Sequence, residues 1–301
     1  MNKRPVSLQS ENPWGCPPTP VLVRDCNELV CWRSSLPKTD VLYRVRIIAS
    51  LVLISTASTA CGVRSDHGSV SLEDANGSAY TPPILLFNGT GASPNDVAAV
   101  EGILKNNHLS YATANSSQLN HMAHSQIRRY RLLIIPGGDF IEIGNSLTPG
   151  ATGNIREAVK DGLNYLGICA GGFFAGKYDP PYNGLNLTSG VRFGFYAAES
   201  RGIRKAAVSI SVAGGPTLDQ YWEDGPEFTG WGSVIGKYPD GKPAIVEGTF
   251  GNGWVILSGV HPEAPASWRH GLTFNTPSST DNAYAGTLVR AALNRTSLSH
   301  W

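Results

Sequence analysis

The stretch Tyr165–Gly176, YLGICAGGFFAG, ends an apolar run on a cysteine and follows it at once with small residues. Gly167-Ile168-Cys169-Ala170-Gly171 has the G-x-nucleophile-x-G spacing of a strand that turns sharply into a helix. Such chemistry needs those residue types. The turn strains the central residue, and its neighbours must lack bulk for the chain to reverse without collision. A helix starting at about Ala170 would aim free N–H groups at the sulfur and favour the thiolate. Read alone, the pentapeptide also describes a tight turn around an inert buried cysteine.

A base is supplied downstream by VILSGVHPEAP. His261 follows an expected strand, and Glu263 lies two residues on, the spacing that projects to one side of extended backbone. Pro262 keeps His261 extended. A carboxylate on one ring nitrogen fixes the tautomer and leaves the other to take a proton from Cys169. The stretch LLIIPGGDF ends a third apolar run on Pro136-Gly137-Gly138. Bare backbone there lets Gly137 or Gly138, with the N–H of Ala170, form an oxyanion hole. GTGASP fails the dinucleotide fingerprint because proline replaces its third glycine, so it reads as a loop over the site, and Asn88 and Ser93 are candidates to line that pocket. Asp139 could face substrate, with a solvated position as the alternative. Tyr221 and the following Trp-Glu-Asp could form a lid, with core packing as the other reading. No metal is expected, because His121 and His124 lack acidic or cysteine companions.

The elements that position these residues alternate in type. Strands are expected at Ile84–Phe87, Tyr111–Ala114, Leu132–Ile135 and Tyr165–Ile168, with helices near Asp96–Asn107 and from Asn154 to Asp161. This alternation predicts an α/β fold: a mostly parallel sheet flanked by helices. The second half adds β segments at Val191–Ala198, Ala206–Val212, Ser233–Tyr238, Ala244–Glu247 and Trp254–Leu257, and a last helix at about Asn282–Leu293. One domain from 82 to 297 is the reading.

The chain has 301 residues, 41% hydrophobic, and a formal net charge of +1. That balance gives no reason to expect a nucleic-acid partner. Residues 1–61 form a leader: Arg44 and Arg46, an apolar run from Ile47 to Ala57, and small residues ending at Cys61 resemble an export signal. Cys61 is the candidate for lipidation and membrane attachment, with plain cleavage near Ala60 as the alternative. Residues 62–81 read as a flexible tether. Cys16, Cys26 and Cys31 all fall in the leader, so Cys169 would be the free thiol of an exported, cell-envelope protein.

The stretches LLFNGTGASPNDV, LLIIPGGDF, YLGICAGGFFAG, YWEDGPEF and GKPAIVEGTFGNGWVILSGVHPE together resemble the N-terminal domain of biotin–protein ligases. This domain lies within the class I glutamine amidotransferase-like superfamily, and the resemblance runs from about Ile84 to Glu263. It implies a flavodoxin-like fold, Cys169 as nucleophile, His261 as base, Glu263 as its orienter, and Gly138 with Ala170 as oxyanion donors. The ligase's biotin-transfer domain is not matched, so biotinylation is not expected, and no cofactor is implied. Two functions follow. One is cysteine-dependent hydrolysis of a small-molecule amide or a peptide. The other is a binding or scaffold module that keeps the pocket without turnover. A redox-sensing thiol at Cys169 is a third reading.

Overall fold

The computed structural model describes residues 81–179, 182–197 and 204–301. The leader with Cys16, Cys26, Cys31 and Cys61, and the tether to residue 80, lie outside them. In chain order the strands are Ile84–Phe87 (β1), Tyr111–Ala114 (β2), Leu132–Ile135 (β3), Asn164–Ile168 (β4), Gly194–Phe195 (β5) and Lys205–Val212 (β6). Thr217–Glu223 (β7), Pro226–Glu227 (β8), Ser233–Lys237 (β9), Pro243–Phe250 (β10) and Gly253–Ser258 (β11) follow. The helices are Pro94–Asn106 (α1), Ser116–His121 (α2), His124–Ile127 (α3), Phe140–Ser146 (α4), Pro149–Lys160 (α5), Ala170–Phe174 (α6) and Ser278–Asn294 (α7). A 3-10 turn spans Ala266–Arg269.

Strands β1, β3 and β4 are buried along their whole length, as central strands of a sheet covered on both faces must be. Their residues alternate between two cores. Leu85 and Phe87 pack with Ile143, Ile155 and Val159, whereas Ile84 and Leu86 pack with Val100, Leu104, Leu288 and Val289. Helices α4 and α5 therefore cover one face, and α1 and α7 the other. Strands β2-β1-β3-β4-β11 run parallel in that order. It is the 2-1-3-4-5 order of a flavodoxin-like sheet.

The β-rich second half is not a separate layer. Strands β10, β9, β6 and β7 continue the same sheet, each antiparallel to its neighbour. Three expectations are corrected. The helix expected from Asn154 starts at Pro149, because the Thr148 hydroxyl accepts the Ala151 N–H and proline suits the first turn. Asn154 sits inside that helix and donates its side-chain amide to Met122 O at 3.2 Å. The long strand expected at Val191–Ala198 is reduced to β5, which pairs only with the two-residue β8. Tyr221 belongs to no lid: it lies in β7, the last strand of the sheet, and is 2% exposed.

Candidate active site

The carboxyl ends of β1, β3, β4 and β11 meet where doubly wound sheets place their sites. Cys169 follows β4 directly, with φ 49° and ψ −104°, a conformation that costs an L-residue about 1–3 kcal/mol. Its flanking glycines are required sterically. A Cβ on Gly167 would come within 2.4 Å of Gly171 O, and one on Gly171 within 2.0 Å of Ile135 O. The Cys169 N–H donates to Ser258 O at 2.7 Å, which ties the elbow to the end of β11. Register does the rest: Ile168 lies opposite Ser258, and His261 follows three residues later. Helix α6 has only five residues, so its dipole is a smaller source of positive charge than its sequence position suggested.

His261 is held from several sides. Its backbone N–H donates to Tyr221 O at 2.8 Å, which makes β7 a brace for the site. Trp268 and Tyr221 each meet the imidazole edge-on, with ring centroids 5.8 Å away. Nδ1 lies 2.9 Å from Glu263 Oε1. It also lies 3.2 Å from Oδ1 of a second buried carboxylate, Asp96, which sequence reasoning did not single out. With Nδ1 taken, Nε2 is the nitrogen left for the thiol.

Asp96 carried a signal that pointed elsewhere. Ser93-Pro94-Asn95-Asp96 is the S-x-x-D pattern of a capping box. Half of that box forms: Ser93 Oγ accepts the Asp96 N–H at 3.4 Å. The other half does not, because Ser93 N–H donates to Gly137 O at 3.0 Å and the Asp96 carboxylate turns to His261. The cap has been redirected into the site.

These groups shift one another. Burial opposes a charged imidazole, but the Cys169 and Glu263 charges and the Asp96 hydrogen bond outweigh it and hold His261 well above its ordinary value. Burial pushes Glu263 up, only partly offset by His261. Burial acts the same way on Asp96, yet its hydrogen bonds to His261 and Ser93 bring it below the usual carboxylate range. Asp96 is therefore the stronger acid of the two. Asp96 Oδ1 and Glu263 Oε2 are both buried without a well-aligned hydrogen-bond donor. Asp96, His261 and Glu263 also bring ligand atoms within 4.8 Å of one another, so these three could hold a cation. Binding one would cost Nδ1 the proton that both carboxylates face.

A cavity of about 720 Å³ opens over Cys169 and His261. Ser93, Gly138, Asp139, Ala170 and Tyr221, all candidates from the sequence, line it. Two candidates fall elsewhere. Asn88 is exposed and tied by its N–H to Ala114 O at 3.1 Å, at the β2 side of the sheet. Gly137 lies behind the imidazole, where a Cβ would come within 2.0 Å of Asp96 Oδ1 and 2.7 Å of His261 Cε1. Gly138, with φ 142°, is thus the better-placed oxyanion candidate beside Ala170. The Asp139 carboxylate accepts the Ile141 and Glu142 N–H groups and caps α4, so its role is to start the helix that carries Phe140. Glu223, expected with Tyr221 as part of a lid, faces the cavity, as do Lys205, Phe140, Phe173, Phe195 and Trp268, which were not anticipated.

A cysteine at a strained elbow, backed by a histidine and carboxylates on a 2-1-3-4-5 sheet, is an arrangement similar to that of class I glutamine amidotransferase-like folds. Residues 83–207 match the family described as "Biotin-protein ligase, N terminal". Over that stretch the chain is similar to the N-terminal domain of biotin-protein ligases. It is 26% identical over 162 residues to the biotin–protein ligase of Schizosaccharomyces pombe, covering 45% of this chain and 26% of that one. It is 28% identical over 162 residues to the pyridoxal 5'-phosphate synthase subunit PdxT of Pyrobaculum neutrophilum, covering 50% of this chain and 78% of that one. The chain thus spans about a quarter of the ligase's length. Among solved structures, PurLQS from Thermotoga maritima aligns with a TM-score of 0.49 at 16% identity, covering 70% of this chain and 99% of that one.

Proposed function

We propose that the protein is an exported cysteine-dependent hydrolase that cleaves an amide or peptide bond through an acyl-enzyme. The observation that carries this reading is Cys169 in a positive-φ elbow beside a His261 braced by two buried carboxylates, with Cys169, His261 and Asp96 opening on one cavity. The Cys169 thiolate adds to the carbonyl carbon, forming the C–S bond and placing negative charge on oxygen near the Gly138 and Ala170 N–H groups. Protonated His261 gives its proton to the leaving nitrogen as the C–N bond breaks. Water then attacks the thioester, His261 takes its proton, and the carboxylic acid leaves as the thiolate is restored. Glu263 and Asp96 keep the imidazole oriented throughout.

A binding module without turnover has one observation in its favour. Cys169 is 7% exposed, and its Sγ makes its contact with Glu223 O at 3.6 Å. Iodoacetamide separates the two readings. The hydrolase reading expects alkylation of Cys169 in the folded protein well below pH 8, read by intact mass, and none in Cys169→Ser. A thiol that reacts only when urea unfolds the chain would support the binding module. Export rests on the leader, and the intact mass of the native protein checks it. A mass beginning at Cys61 plus lipid, or at a residue just after Ala60, is the expected result; a mass retaining Arg44 and Arg46 removes the export proposal.

A further inference from the structure

One wall of the cavity is aromatic. Phe173 lies in α6 four residues after the cysteine and is buried. It stacks on Phe140 at 4.8 Å between centroids, and Phe195 meets it tilted at 4.7 Å. All three line the same cavity as Cys169. The outermost ring, Phe195, is 48% exposed. A single exposed phenylalanine is unremarkable on a protein surface. This one continues a three-ring wall that begins one helical turn from the nucleophile, and its free face opens into the cavity. The lining also has a polar part: Tyr221 OH donates to Glu223 Oε2 at 2.6 Å, and Lys205 Nζ lies 3.5 Å from the same oxygen. At about 720 Å³ the cavity is in the range that encloses a drug-sized ligand, well beyond a free amino acid amide.

We infer that the substrate is peptide-like and carries an aromatic or large aliphatic group within a few bonds of the reacting carbonyl, seated on the Phe140–Phe173–Phe195 wall. This rests on the hydrolase reading of the same site and narrows its substrate class. The apolar group would cover ring surface now facing water, and the polar part of the lining would meet the amide backbone. Selectivity would come from ring-on-ring packing in addition to area burial.

The test compares two alkylating amides that differ only in that group, chloroacetamide and N-benzylchloroacetamide. Cys169 in the folded protein is expected to react with the benzyl reagent at least about tenfold faster, relative to the rates of the two reagents with a free thiol. In Phe195→Ala the ratio should fall toward one. Excess N-acetylphenylalaninamide should protect Cys169 from chloroacetamide, whereas acetamide should not. If neither reagent alkylates the folded protein, the hydrolase reading itself fails. If both react with no benzyl advantage, or the advantage persists in Phe195→Ala, the wall is not a recognition surface and the substrate inference is wrong.

Discussion

Replacing His261 with glutamine should slow iodoacetamide alkylation of Cys169 by about a hundredfold or more at pH 6. Glutamine has no positive charge to hold a thiolate, so at that pH a thiol of ordinary acidity is less than about 1% ionised. In the parent protein, the Cys169 and Glu263 charges and the Asp96 hydrogen bond strengthen the imidazole's hold on its proton despite its burial. The parent should therefore alkylate faster than the variant at that pH. Turnover of any amide substrate should fall by about 10²- to 10⁴-fold, the usual range for loss of a general acid–base group. The variant also leaves Glu263 and Asp96 buried without a cation, a serious destabilisation if both stay ionised. Glu263 binds its proton more tightly in the folded state than in the unfolded chain. Its favourable contribution is therefore full below the unfolded value of about 4.3 and is lost as pH rises through the folded one. His261→Gln should accordingly regain part of its stability as pH falls toward 5, measurable by urea denaturation. A variant that alkylates at pH 6 as fast as its parent would remove the imidazole from the mechanism.

Neutralising the two carboxylates should give a strongly non-additive result. Both approach the same Nδ1, Glu263 at 2.9 Å and Asp96 at 3.2 Å. Either can hold the tautomer when the other is lost. Glu263→Gln and Asp96→Asn are each expected to reduce turnover about tenfold, and the double variant by about 10³-fold or more, approaching the cost of losing a sole orienting acid. Asp96→Asn makes a second, directional prediction. Removing that charge lowers the affinity of His261 for its proton, so the alkaline limb of the pH–rate profile moves to lower pH. A residue that merely packs would change the height of the profile and leave the limb in place. If Glu263→Gln already abolishes turnover in a folded protein, Asp96 is not a second support.

The parallel half of the fold was readable because its signals are local. Ile84–Phe87, Tyr111–Ala114 and Leu132–Ile135 are short apolar or β-prone runs bounded by turn residues, and each forms where its boundaries indicate. The cysteine, histidine and glutamate were readable for the same reason, since a five-residue glycine pattern and an i, i+2 pair carry their geometry with them. What escaped depends on partners far along the chain. Strand β7 reads as Thr-Leu-Asp-Gln-Tyr-Trp-Glu, polar enough for a loop. It is a strand because its buried Asp219 finds the Asn275 N–H at 2.7 Å and the Ser209 hydroxyl at 2.5 Å. Asp96 escaped because it is far from His261 in sequence and meets it only through the fold. The aromatic wall draws on α4, α6 and β5, and no window of sequence contains all three rings.

The positive φ at Cys169 has a consequence for how such a domain drifts over evolutionary time. A left-handed-side dihedral on a residue with a Cβ is held against its own preference by Gly167, Gly171 and the end of β11. Glycine at that point would relieve the tension and firm up the scaffold. A lineage freed from selection for the thiol would be drawn downhill toward that exchange. The sulfur's presence in so taut a spot is what continued use would leave behind.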